Sequence, residues 1–95
     1  MIENIVYFEL LRRGFDVAVG KAGDKEIDFI ATRDDEKIYY QVAEDISAEN
    51  TRQRELAPLL TVRDNYEKVI LTMRINSTAS IEGIKIIRLI DFLLE

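Results

Sequence analysis

Residues 25–43, KEIDFIATRDDEKIYYQVA, constrain the fold more than any other stretch. They read as two strands joined by a tight polar turn. In the first strand Ile27, Phe29 and Ala31 alternate with Glu26, Asp28 and Ile30; in the second Ile38, Tyr40 and Val42 alternate with Tyr39, Gln41 and Ala43. Strand side chains switch faces at every residue, so each set lines one side. Two polar residues, Asp28 and Gln41, then fall in the middle of otherwise apolar strands. A two-residue loop at Asp34-Asp35 sets Asp28 opposite Gln41, and a loop at Asp35-Glu36 sets it opposite Ala43. Both keep the three residues on one face, where directly opposed Cβ atoms lie roughly 5 Å apart.

The flanking sequence supplies the rest of an α+β chain. Ile2 to Arg13 reads as a helix closed by Gly14, with Glu3, Val6, Tyr7, Leu10 and Leu11 on one stripe. Glu3 thus sits at the end of an apolar stripe; at a helix terminus it also has a path to water. Ile5 and Phe8 fall on a second apolar face, which suits contact with another domain or subunit. Phe15 to Gly20 alternates as a strand, and Gly20 to Asp24 reads as a turn. Its Gly-Lys pair is not a phosphate loop, because the upstream glycine spacing is wrong and Ala22 stands where Ser or Thr is required. No ATP site is expected in this chain.

After Ala43, Ser47 is the expected N-cap of a helix that turns Ala48, Leu56, Leu59 and Leu60 inward and carries Arg52, Arg54 and Glu55. Pro58 is expected to kink or end it. Residues Val62 to Tyr66 connect to Lys68–Met73, a continuous apolar run of the kind found in a central strand covered on both faces. A polar loop is expected from Arg74 to Glu82, a short strand from Gly83 to Arg88, and a closing helix from Leu89 to Leu94. The expected order is helix, three strands, helix, strand, short strand, helix, in one domain over residues 1–95 with a mixed sheet.

Composition narrows the chemistry. The chain has 95 residues, no cysteine and no histidine. Thiolate metal sites, disulfides and histidine acid–base chemistry are excluded, and any metal must be a hard, oxygen-bound ion such as Mg²⁺. A net charge of −5 is unlike the basic footprint of most nucleic-acid binders. No apolar run approaches the roughly 20 residues of a membrane span, and the N-terminal residues carry acids unlike a signal peptide. The expected location is the cytoplasm.

A helix-borne Glu3, Asp28 on the second strand and Gln41-Val42-Ala43 on the third together resemble the restriction-endonuclease-like, PD-(D/E)XK core, including Holliday-junction resolvases. Over ENIVYFELLRRGFDV, DKEIDFIA, YYQVAEDIS, NTRQRELAPLL, DNYEKVILTM and GIKIIRLIDFLLE the chain is similar to the C-terminal domain of unknown function of prokaryotic AAA-type ATPases. That resemblance implies an upstream ATPase domain as partner and Asp28 and Glu3 as residues toward Mg²⁺. Gln41 stands where the family has a second carboxylate, and Ala43 where it has the lysine that orients water and stabilises charge on the transferring phosphate.

The implied centre is therefore a remnant cluster of Glu3, Asp28 and Gln41, in an accessory domain used for nucleic-acid or partner recognition. A migrated cation among Lys21, Lys25, Arg52 and Arg54 would restore an active Mg²⁺-dependent DNA endonuclease, and the same four residues are candidates for phosphate contact. A third alternative is a pure interaction module dimerising through Ile5 and Phe8. Each residue also has a plainer role open to it: Asp28 paired with Lys25 or Arg52, Arg52 and Arg54 as a solvated helix face, Tyr39 and Tyr40 as packing.

Overall fold

A computed structural model describes residues 1–75 and 79–95. The chain runs α1 (Ile2–Arg12), β1 (Asp16–Ala22), β2 (Lys25–Arg33), β3 (Glu36–Ala43), α2 (Glu49–Thr61), β4 (Glu67–Thr72), β5 (Ala79–Ile81), β6 (Ile84–Arg88) and α3 (Leu89–Leu93). The strands form one mixed sheet in the order β1-β2-β3-β4-β6-β5. The β1-β2-β3 meander is antiparallel, and α2 carries the chain over to β4, which lies parallel to β3 and to β6. This is the expected α+β architecture with a mixed sheet.

Each face of the sheet has its own core. Val6 and Leu10 of α1, with Leu89 and Phe92 of α3, pack on Ala31, Tyr40, Val42 and Leu71. Leu56 and Leu59 of α2 pack on Ile27, Tyr39, Ile70 and Ile86 from the other side. The central β4 buries Val69, Ile70 and Leu71 between the two layers, which is why its sequence is continuously apolar rather than alternating.

Hairpin β2–β3 closes through Asp34-Asp35, with Arg33 opposite Glu36 and Phe29 opposite Tyr40. Asp34 takes φ +53, a left-handed conformation that Asp tolerates better than most side chains. Simple alternation fails further down β2. Ala18 pairs with Ile30 but Gly20 pairs with Ile27, so Asp28 and Phe29 together face the single residue Val19. This β-bulge turns Ile27 to the α2 side with Ile30, away from Phe29 and Ala31, with which the alternation grouped it. Gly20 is part of the same device: a Cβ there would run into the Ile30 side chain.

Several local expectations are corrected. Strand β1 runs on to Ala22, and the turn is Gly23-Asp24 with Gly23 at φ +67. Ala48, not Ser47, is the N-cap of α2; the Ser47 N–H is itself engaged by Asp45 Oδ1 at 2.8 Å. Ala48 and Leu60 are exposed, and α2 continues through Pro58 to Thr61. On α1 the buried residues are Val6 and Leu10, while Tyr7 and Leu11 are exposed. Within the expected loop Arg74–Glu82, Ala79–Ile81 form an edge strand paired with β6, and residues 76–78 lie outside the described residues.

Candidate functional site

The ladder between β2 and β3 ends at the Phe29–Tyr40 pair. Beyond it the two out-of-place polar side chains bridge the strands themselves. Gln41 Oε1 accepts the Asp28 N–H at 2.8 Å, and Asp28 Oδ2 accepts the Val42 N–H at 2.9 Å. Gln41 Nε2 donates to the Glu55 carbonyl of α2 at 3.2 Å. Gln41, only 4% exposed, therefore satisfies groups on two elements, one beside the bulge and one in the helix that covers it. A buried amide of this kind is stable only with both ends paired, and here both are.

The clamp floors a cleft of about 320 Å³ lined by Lys25, Glu26, Asp28, Gln41, Arg54 and Glu55, with Ala57 and Pro58 at its α2 side. Burial raises the Asp28 pKa; the Val42 N–H opposes that, and the charges of Glu3 and Glu26 add to it. Burial likewise raises the Glu55 pKa, followed by repulsion from Asp28, with Arg54 pulling the other way. Glu55 is the residue the sequence reading missed, because it grouped Glu55 with Arg52 and Arg54 along the helix. Its signal lay in spacing: Glu55 precedes buried Leu56 by one position and Leu59 by four, which puts it on the flank of the helix nearest the sheet.

The structure brings Asp28 and Gln41 together and leaves Glu3 at their margin. Glu3 Oε1 lies 3.2 Å from the Met1 ammonium, and its side chain is about half exposed. Its own backbone N–H, then that ammonium, hold its carboxyl below the ordinary range. The plainer alternative, Asp28 paired with Lys25 or Arg52, is not seen among the described residues: Asp28 Oδ2 holds the Val42 N–H. Arg52 instead donates to the carbonyls of Ile46 at 3.2 Å and Ser47 at 3.3 Å, holding the entry to α2. Lys25 and Arg54 line the cleft, whereas Lys21 stands exposed on β1 opposite Glu26. Ala43 is half-buried and packs with the α2-side core.

Among the described residues no three Asp, Glu, His or Cys side chains gather into a set that could hold a metal ion. The motif donors do not fit Mg²⁺ as they stand: Asp28 Oδ2 and both ends of the Gln41 amide are committed within the protein. No metal-dependent step follows from this arrangement. Among the described residues no helix is long and apolar enough to cross a membrane.

The chain is 48% identical over 94 residues to an uncharacterized protein of Haemophilus influenzae, a match that covers 99% of this chain and 23% of that protein. The chain thus spans about a quarter of the length of the curated relative it matches. No family model matches the chain, and no solved structure matches it.

Proposed function

We propose that this chain is a nuclease-like accessory domain of an AAA-type ATPase, with a restriction-endonuclease-like core whose catalytic centre is degenerate. The observation that carries this reading is the reciprocal clamp. At the positions of two nuclease carboxylates, Asp28 commits Oδ2 to the Val42 N–H, and Gln41 commits both ends of its amide to the Asp28 N–H and to α2. Ala43, at the position of the catalytic lysine, offers no cation. A helix, an antiparallel meander and a helical crossover to a parallel strand are compatible with such a core. The match to a stretch of a much longer protein is compatible with a domain that works beside others.

In this reading the domain recognises a partner. Ile5 is 45% and Phe8 65% exposed on the outward side of α1, and an apolar pair of that kind is suited to contact with the rest of a longer chain or with a second copy. Nucleic acid is a secondary candidate, through Lys25 and Arg54 at the cleft. One observation favours an active endonuclease instead: Glu55 brings a carboxylate to the cleft that the sequence motif lacks. The deciding experiment incubates the protein with branched and linear DNA and Mg²⁺ or Mn²⁺. No cleavage is the expected result. Cleavage abolished by Asp28→Asn would establish the endonuclease and overturn the degenerate reading.

A further inference from the structure

On the face that carries α1 and α3, the N-terminal halves of β3, β4 and β6 are not fully covered, because α3 is only five residues long. A cleft of about 300 Å³ opens there. It lies on the opposite side of the sheet from the Asp28 cleft. Its floor is Ile38, Tyr40, Val69 and Ile87, and its walls include Phe15 and Phe92. The Arg33 guanidinium covers the Phe15 ring at 4.2 Å from its centroid, and the Arg13 guanidinium covers Phe92 at 4.3 Å.

Three ion pairs edge the mouth: Arg33–Glu36 at 2.7 Å, Lys85–Glu67 at 2.8 Å and Arg13–Glu95 at 3.5 Å. The lining carries three cations and three carboxylates, and Arg13 is held more closely by Glu9 at 2.6 Å, so the mouth has no excess positive charge with which to draw in an anion. Tyr40 is only 5% exposed and stands edge-on to Phe92. Among the described residues no group hydrogen-bonds its hydroxyl. The polar side-chain atoms shut off from solvent all have partners, so the hydroxyl is the part of Tyr40 that opens into the cleft. Burial, then the Glu67 charge, pushes the phenol up to about 12, further above neutral pH than an ordinary phenol.

We infer that this cleft binds an uncharged small molecule with an apolar body of about one aromatic ring and an acceptor atom for the Tyr40 hydroxyl. The cleft sits at the lower end of the size range of ligand pockets, with an apolar and aromatic floor beneath a rim of charged side chains. A donor that opens into the cleft without a protein partner is free to bond an acceptor brought in by a ligand, for the modest net gain of one hydrogen bond.

Benzamide, titrated into the isotope-labelled protein, tests this through the backbone amide signals of Tyr40, Val69 and Ile87. Saturable shifts confined to this cleft are expected. Tyr40→Phe should weaken binding roughly three- to tenfold, the net worth of one hydrogen bond, without lowering the melting temperature. Benzoate should bind more weakly than benzamide. The inference is overturned by absent or unsaturable shifts, by affinity that ignores Tyr40→Phe, or by tighter binding of benzoate. It is equally overturned if Tyr40→Phe destabilises the fold, because the hydroxyl would then have a partner within the protein.

Discussion

Gln41 Oε1 accepts the Asp28 N–H at 2.8 Å, while Asp28 Oδ2 reaches past Gln41 to the Val42 N–H at 2.9 Å. The two side chains bridge β2 and β3 where their ladder ends, next to the bulge between β1 and β2. A side chain occupied in this way holds strands together, and its replacement should be read first in stability.

Gln41→Met keeps the length of the side chain but strands the part-buried Asp28 N–H and removes the tie to the Glu55 carbonyl of α2. A loss of roughly 2–3 kcal/mol is expected, the cost of leaving such groups unmet. Urea unfolding measures it, and a change below about 0.5 kcal/mol, the level of an ordinary surface substitution, would contradict the clamp.

Asp28→Asn should behave differently. The amide oxygen can still accept the Val42 N–H, and removing the charge relieves repulsion with Glu3 and Glu55. Stability at neutral pH is expected to stay within about 1 kcal/mol of the parent or rise. A large loss would mean that the charge itself is needed.

The raised pKa values of Asp28 and Glu55 give a signed pH dependence. A carboxyl whose folded pKa lies above its unfolded value binds its proton more tightly in the folded state. Its favourable contribution is full below the unfolded pKa and is lost as pH rises through the folded one. Glu55→Gln should therefore gain stability relative to the parent between about pH 4 and about pH 7, the interval in which a raised carboxyl ionises. Unfolding midpoints at the two pH values suffice, and a constant difference would refute the repulsive cluster. Glu9 has the opposite sign. Hydrogen bonds from Arg12 and Arg13 hold its carboxyl at about 2, so its contribution is full above the unfolded carboxyl's pKa and is lost progressively as pH falls from there through about 2.

Arg52→Ala removes the donors to the Ile46 and Ser47 carbonyls. It should cost about 1 kcal/mol while leaving any DNA affinity unchanged, since this guanidinium is already engaged. A weakened, salt-dependent DNA affinity would return Arg52 to the phosphate-contact candidates.

Ile5→Lys with Phe8→Lys should leave the fold's stability within about 0.5 kcal/mol, because both side chains project outward. Self-association or binding to the remainder of a longer chain should fall sharply, as read by solution sizing. Unchanged association would remove this face of α1 as the interface.

The hairpin and the helices were legible from their periods, and the central strand from an apolar run that has none. The polar turn left two registers open, of which the structure takes Asp34-Asp35, and Val69–Leu71 announced burial on both faces. What escaped was non-periodic. The bulge opposite Val19 adds a residue without a turn signature, so Ile27 changed sides unannounced. Pro58 stays within α2, although a proline inside a helix usually breaks or kinks it. Glu55 was hidden because charge along a helix does not reveal which flank meets a partner's backbone. That Asp28 and Gln41 share a face was readable from either register, but the atoms involved were not: spacing placed the side chains on one side, and only the structure shows that they hold backbone N–H groups.

Mn²⁺ titration of the isotope-labelled protein tests the clamp most directly, because the paramagnetic ion broadens signals near any site that binds it. The amides of Asp28, Gln41 and Val42 should broaden no more than those of other acidic surface stretches, without saturating. Saturable broadening centred on Asp28 and lost in Asp28→Asn would show a working metal centre and contradict the assignment of these residues to a structural clamp.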